Sequence, residues 1–440
     1  MAEEAAYSLN LLPRFSSAML VSRFVRLLLF LGLCLELVFP AGAQPEGTAA
    51  TPFAFARARR KQTKVPIQLQ RNLLIVKCFL NGAGPFNFLL DTGLSTSIIT
   101  SAALADSLNL RRGQKYRVVG AGGVATGLLA YQTDSVRMEL PGVVAPHMSC
   151  LVLSEDVLDL SAYIGVPIYG ILGSELFRSF VVTLRLEEAQ MVLSNPVTYR
   201  RPKSRRWSEV PLSLENNKAY FTAPVQLSES LTLPLKLVLD TGASHALSIE
   251  LDSDPRLVAP AKRLPTSLGR GLSGTVQGYL GRVATLQLGR YTLRSVLTSF
   301  PNAADVHRRI DVPRNGNIGY ELLKRFSLVI DYPHQRLLLR PNTRFRDAFE
   351  HDMCGIDLLA TGPDYRRYLV LSVTPNSPAA VAGFQPDDEL VSINMLPASV
   401  FTLSQLDRIL HSEDGRTLLM VLRGTDGNLR TTSVRLKRQI

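Results

Sequence analysis

The sequence predicts a mainly β chain in which two β-rich units of one design run head to tail and a smaller α+β module follows. Three observations carry this. Short apolar runs of β type recur, as at 72–80, 86–90 and 98–100, with turn residues punctuating them every eight to twelve positions. Two long stretches repeat one another. Basic or proline-bearing punctuation at Arg200-Arg201-Pro202-Lys203-Ser204-Arg205-Arg206 and at 341–352 divides the chain into segments of about 65–199, 207–342 and 350–440. A length of 440 residues fits about three domains.

Composition narrows the function classes. At 46% hydrophobic and 20% charged, the chain is neither pervasively disordered nor a polytopic membrane protein. The net charge of +12 first suggests nucleic acid. Much of it, however, lies in 57–64 and 200–206, with no aromatic interleaving and no recognised nucleic-acid fold. A solvated exterior with some attraction to anionic envelope surfaces explains it better, and no nucleic-acid partner is expected. Four cysteines, at 34, 78, 150 and 354, have no CxxC or zinc-finger spacing, so neither a metal site nor a cofactor is expected. There is no HExxH and no GxSxG. Cys78 sits in an apolar strand pattern and reads as core.

Met19 opens a secretory signal: Arg23 and Arg26, the apolar run 27–38, then Ala41-Gly42-Ala43 before Gln44. The run is about half of what spans a bilayer, so 1–43 is expected to be cleaved, leaving no stable membrane anchor. Export to the periplasm or the exterior is then expected, with Met19 the true start. Cys34 comes after Leu31-Gly32-Leu33, which does not fit a lipoprotein site. Residues 44–64, rich in Ala, Pro and Arg, read as a leader, and 200–206 as a basic linker.

The first two segments carry the chemistry. Phe86-Asn87-Phe88-Leu89-Leu90-Asp91-Thr92-Gly93-Leu94-Ser95 matches Leu235-Lys236-Leu237-Val238-Leu239-Asp240-Thr241-Gly242-Ala243-Ser244. One Asp-Thr-Gly arises by chance in roughly one chain in ten of this length, so a single copy says little. Here both copies end an apolar strand. The repeat extends to Gly120 and Gly122, 29 and 31 residues after Asp91, and to Gly269 and Gly271, at the same distances from Asp240. It continues from Gly170-Ile171-Leu172-Gly173-Ser174-Glu175 to Gly316-Asn317-Ile318-Gly319-Tyr320-Glu321, without gaps.

Gly120-x-Gly122-x-x-Ala125 and Gly269-x-Gly271-x-x-Gly274 match a dinucleotide-binding pattern, but the residues after each read as extended chain rather than helix. Glycine-tipped hairpins fit better. Two carboxylates brought together on strand ends cannot readily both ionise, so one keeps a proton. Such a pair holds a water, one member taking its proton while the other polarises a carbonyl.

These residues resemble the aspartic proteases over about 65–342, pepsin-like in having two lobes on one chain and retropepsin-like in lobe size. The resemblance implies two pseudo-twofold-related acid-protease β-barrel lobes with catalytic Asp91 and Asp240. Thr92 and Thr241 would knit the loops together across the interface. Gly93 and Gly242 would make the tight turns and approach substrate, with Ser95 and Ser244 completing the loops. Gly173 and Gly319 would pack beside them. The hairpin 118–129, with Gly120, Gly122 and Gly123, would be a flap. Three departures stand out. Leu94 is bulky where the family prefers Ala, Ser or Thr, which puts the position of the first loop in question; no tyrosine lies in 118–129; and Asn317 breaks the apolar pattern before Gly319. His245 either tunes the dyad or lies on a surface turn.

The third segment resembles a PDZ domain over about 350–440: strand Tyr368-Leu369-Val370-Leu371-Ser372-Val373, a helix opened by Ser377-Pro378-Ala379-Ala380, and Asp388-Glu389-Leu390-Val391-Ser392-Ile393-Asn394. Leu403–Leu410 would be the groove helix and Thr417–Arg423 a strand. Asp387 and Met395 replace family glycines, which puts two turns in question. The resemblance implies capture of a C-terminal or extended peptide, with Cys354-Gly355-Ile356 as the carboxylate loop, or else a module that only orients the protease. The leading expectation is an exported bacterial aspartic endopeptidase acting on proteins or peptides, its PDZ domain recruiting or gating substrate. The alternatives are a catalytically silent peptide-binding protein on the same fold, favoured by Leu94, and a processing enzyme with one dedicated partner.

Overall fold

The computed structural model describes residues 36–37, 52–119, 121–122, 128–156, 158–271, 274–306 and 312–440. Alternating burial drives its strands: Gln62–Gln70 buries Thr63, Val65 and Ile67 and exposes Gln62, Lys64, Pro66 and Gln68. Such two-faced strands need a layer to cover them, and each lobe supplies it by curling its sheet over its own core.

The lobes meet in a six-stranded sheet. The first contributes the start of Gln62–Gln70, then Gln190–Ser194 and Val181–Arg185; the second mirrors these with Ser208–Pro211, Arg336–Pro341 and Phe326–Asp331. Val181–Arg185 and Phe326–Asp331 pair at the centre in antiparallel register, Thr183 opposite Val329. This seam is the pseudo-twofold relation, and one apolar core runs through it into both lobes.

The leader reading of 44–64 is corrected from residue 52 onward. Phe53 is buried in the first lobe's core, Ala54–Phe55 pairs with Val143 and Val144, and Phe55 packs on Phe180 at 4.9 Å. Two aromatic anchors outweigh the leader-like composition. Lys61 and Lys64 stay exposed, but the strand that carries Lys64 belongs to the interlobe sheet. Of 1–43, only Glu36–Leu37 is described, paired along Lys115–Val119; the rest of the expected signal lies outside the described residues. No described helix is long and apolar enough to cross a membrane.

The third domain has strands Ile356–Thr361, Arg367–Val373, Glu389–Ile393, Thr417–Arg423 and Leu429–Arg435 around its own core. Its helix Leu403–Leu410 starts with a capping box, Thr402 accepting from Gln405 N–H while the Gln405 side chain accepts from Thr402 N–H. The two questioned turns are kept. Asp387 and Met395 adopt φ of 70° and 66°, the left-handed region that glycine would occupy freely.

Candidate active site

Asp91 and Asp240, the two candidate acids, each stand just past the buried end of a strand, Ala83–Leu90 or Thr232–Leu239. The segments bearing Gly173 and Gly319 fix these ends in one register. Gly170–Leu172 runs parallel to the first strand with Leu172 opposite Leu90; Gly316–Ile318 runs parallel to the second with Ile318 opposite Leu239. Asp91 N–H donates to Leu172 O at 2.9 Å and Asp240 N–H to Ile318 O at 3.0 Å. Gly173 and Gly319 pack beside the loops as predicted: a Cβ on Gly173 would press on Leu94 O, and one on Gly319 on His245 O and Ala243 O.

The loops interlock across the pseudo-twofold. Thr92 N–H donates to Thr241 Oγ1 (3.0 Å) and Thr241 N–H to Thr92 Oγ1 (2.9 Å), while the two hydroxyls donate to Leu239 O (2.7 Å) and Leu90 O (2.8 Å). Buried polar groups of each lobe are thus satisfied by the other. Gly93 and Gly242 matter for a reason the sequence did not supply: neither has a positive φ. A Cβ on Gly242 would fall into the Asp91 carboxylate, and one on Gly93 would lie 2.9 Å from the Asp240 carboxyl carbon. Each glycine makes room for the opposing acid.

Leu94 does not displace the first loop. It is fully buried among Leu73, Ile75, Leu89, Ile98 and Tyr163, while its carbonyl accepts from Ser174 N–H at 2.9 Å. Ser95 Oγ donates to Asn216 O (2.8 Å) and Ser244 O accepts from Asn72 Nδ2 (3.3 Å), so each lobe's hairpin turn touches the other lobe's Asp-Thr-Gly loop. His245 is half-buried, not a surface turn, and its carbonyl accepts from Glu321 N–H at 3.3 Å.

Electrostatics separates the two acids. Both are buried and close together, each against the other lobe's loop glycine, so the two cannot readily both ionise. Desolvation, then the Asp240 charge, pushes Asp91 well above the carboxylate range, against one donor, Gly93 N–H at 2.7 Å. Asp240 is also raised by desolvation, but Asn317 Nδ2 donates to it from 2.8 Å, Gly242 N–H from 3.1 Å, and the Arg314 charge favours its ionised form. The Asn317 donor and the Arg314 charge thus favour the ionised form at Asp240 more than at Asp91. Arg314 is itself held by buried Glu250 at 3.2 Å.

Sequence reading noticed Asn317 only as a break in an apolar pattern. It missed buried Lys218, whose charge favours ionisation of both acids, because a lysine just after Asn216-Asn217 looks like a turn residue. It also missed Tyr332, buried with its hydroxyl 3.5 Å from Thr92 O.

The strands flanking both glycine-rich segments pair as hairpins, Lys115–Val119 with Leu128–Leu140 and Leu264–Gly271 with Gly274–Leu288, so extended chain rather than a helix follows each. Gly120 and Gly123 lie outside the described residues. Gly122 N–H donates to Asp305 O at 3.0 Å, and Ala121 packs on Leu268 and Val276 of the second hairpin. The hairpins of the two lobes thus meet tip to tip. In the third domain, Cys354, Gly355 and Ile356 do not offer open amides. The Asp352 carboxylate accepts from all three, at 3.0 Å from Cys354 and 2.9 Å from Ile356.

Residues 76–176 and 223–322 each match the aspartyl protease family model, and 369–424 match a PDZ domain. No curated protein matches the chain. Among solved structures it is similar to the aspartic proteinase from Irpex lacteus, at 14% identity and a TM-score of 0.42 over 66% of this chain and 99% of that one. It is also similar to Basic 7S globulin from soybean, at 9% identity and a TM-score of 0.38 over 66% of this chain and 97% of that one.

Proposed function

Since the chain is a two-lobed aspartyl protease fold followed by a PDZ domain, we propose that it is an aspartic endopeptidase acting on proteins or peptides. The observation that supports this is the unequal dyad: two buried acids set side by side by interlocked loops, one with an added donor from Asn317 and one without. A water held between them gives its proton to Asp240 as it attacks the scissile carbonyl. Protonated Asp91 donates to the carbonyl oxygen, giving a gem-diol; as the C–N bond breaks, Asp240 passes its proton to the leaving amine and a gem-diol hydroxyl returns one to Asp91. No covalent intermediate is needed. The meeting hairpins favour an extended substrate threaded beneath them. A silent peptide-binding role loses the feature that favoured it, because Leu94 points into the core and leaves the dyad loops interlocked.

We assign the site of action to the exterior or periplasm of a bacterium, after removal of 1–43, on the signal-like pattern alone; N-terminal sequencing of the exported protein checks it. For the activity, wild type and the Asp91→Asn and Asp240→Asn variants are incubated with a denatured protein from about pH 3 to about pH 8. Cleavage by wild type alone is expected. Undiminished cleavage by either variant sinks the assignment.

A further inference from the structure

The furrow between the edge strand Ile356–Thr361 and the helix Leu403–Leu410 is where a PDZ domain would take an extended peptide. In this chain the first lobe fills it. The strand pairs with Arg367–Val373, and its other edge has no strand partner among the described residues. Across that edge lies Arg71, at the tip of the hairpin joining Gln62–Gln70 to Leu73–Leu80. Its Nε meets Asp407 of the helix at 2.7 Å, its Nη1 donates to Leu358 O of the strand at 3.2 Å, and its backbone N–H donates to Ser404 Oγ at 2.9 Å. Ser404 in turn donates to Gln70 at 2.7 Å. The guanidinium is buried over the Tyr163 ring, 4.2 Å from its centroid, and also donates to Tyr163 O at 2.8 Å.

Arg71 is an unfavourable residue for its own backbone. The turn is a two-residue hairpin loop with φ of 45° at Arg71 and 60° at Asn72; its counterpart in the second lobe, at φ of 48° and 64°, uses Asn216 and Asn217. Asparagine tolerates this region and arginine does not. The arginine is there for what its side chain reaches.

The same turn touches the second catalytic loop. Asn72 Nδ2 donates to Ser244 O (3.3 Å) and to Glu321 (2.8 Å), and its Oδ1 accepts from Lys324 (3.0 Å). Tyr163, beneath the guanidinium, is hydrogen-bonded to the Ser244 side chain. Ser244 is four residues from Asp240.

We propose that Arg71 is an internal ligand of the PDZ groove, that an extended peptide segment bearing an arginine competes with it, and that filling the groove from outside releases the Arg71-Asn72 turn from Ser244 and loosens the Asp240 loop. The groups that Arg71 now satisfies dictate the occupant's chemistry. It must bring a cation to Asp407, with the Asp357 charge nearby, and a donor to Leu358 O. It enters by its chain rather than its C-terminus, because Asp352 already takes the three amides that would hold a terminal carboxylate. A slower enzyme when the groove is filled follows only if the peptidase reading holds; the internal ligation, the competition and the loosening of the loop do not rest on it.

The test uses the full chain carrying Asp91→Asn, so that no peptide is cut. The probe is a fluorescein-labelled, C-terminally amidated Thr/Val peptide with one central arginine, monitored by anisotropy. Arg71→Ala is expected to tighten binding by about tenfold or more, since it removes the internal competitor. Replacing the probe's arginine by alanine, or introducing Asp407→Asn, is expected to abolish binding, while a free C-terminal carboxylate changes nothing. Arg71→Lys, which keeps a cation without the two-sided contact, should fall between, and it serves if the alanine variant does not fold. Equal affinity for wild-type and Arg71-substituted chains, or binding that requires a free carboxylate, overturns the proposal. In the Arg71-bearing chain the probe should speed amide exchange over 240–247; unchanged protection there, with the probe bound, overturns the coupling. Failure of the peptidase reading would show separately, as absence of hydrolysis by wild type.

Discussion

In the first lobe Ile171 packs beside the strand that ends at Asp91; at the equivalent place in the second, Asn317 reaches Asp240 from 2.8 Å. The contrast recurs at three other paired positions. Glu175 turns inward to hold Ser97, accepting from its N–H and its hydroxyl at 2.8 Å each, whereas Glu321 turns outward to Asn72, Lys324 and Arg325. Leu94 fills a core where Ala243 fills almost nothing. Arg71 leaves the first lobe for the PDZ groove, while Asn216 stays by Ser95. Duplication supplied one backbone twice, with interlocked threonines that need both copies alike. The asymmetry lies in side chains, and it gives the two acids different protons to carry.

The comparison is broken most severely at the acids themselves. On the proposed mechanism, Asp91→Asn and Asp240→Asn should each lower the rate of peptide hydrolysis by on the order of 10³-fold or more, one removing its general acid and the other its base. A variant of one lobe that retains near-normal turnover in a steady-state assay would show that the lobes do not share the chemistry. Next in size is Leu94→Ala. Emptying its pocket should cost about 2–5 kcal/mol in urea unfolding, with hydrolysis surviving wherever the variant is folded. A cost near zero would mean that the first loop does not lean on that side chain.

The interlocking threonines test equivalence directly. Thr92→Val and Thr241→Val each strand a buried amide and a carbonyl, and each should cost about 1–3 kcal/mol. Clearly unequal losses in thermal unfolding would break the twofold relation at the interface. The subtlest effect is on pH dependence. Asn317 stabilises the Asp240 carboxylate, so Asn317→Leu should raise the Asp240 pKa and move the acid limb of kcat/KM to higher pH. Ile171→Asn offers Asp91 the same donor; it should lower the pKa of Asp91 and pull the alkaline limb down. Profiles that keep both limbs in place in these variants would remove Asn317 as the source of the difference.

Local patterns told a good deal. Two apolar strands ending in Asp-Thr-Gly, the matched Gly173 and Gly319 segments and the glycine-tipped hairpins each lie within a few residues of sequence, and each formed where expected. The PDZ helix Leu403–Leu410 and strand Thr417–Arg423 formed with the expected ends. Composition over 44–64 misled, because two phenylalanines decide the fate of a segment that alanine, proline and arginine dominate by count.

By itself, the sequence determined which acids pair, since a repeat in fixed register must place equivalent strand ends about a pseudo-twofold axis. Only the tertiary structure decided which acid receives the added donor, why no side chain fits at Gly93 and Gly242, and what fills the PDZ groove. Those depend on side chains meeting across large sequence separations: Asn317 with Asp240, Gly242 with Asp91, Arg71 with Asp407. Periodicity records which face a residue presents along its own strand or helix. It carries no record of what the rest of the chain brings to that face.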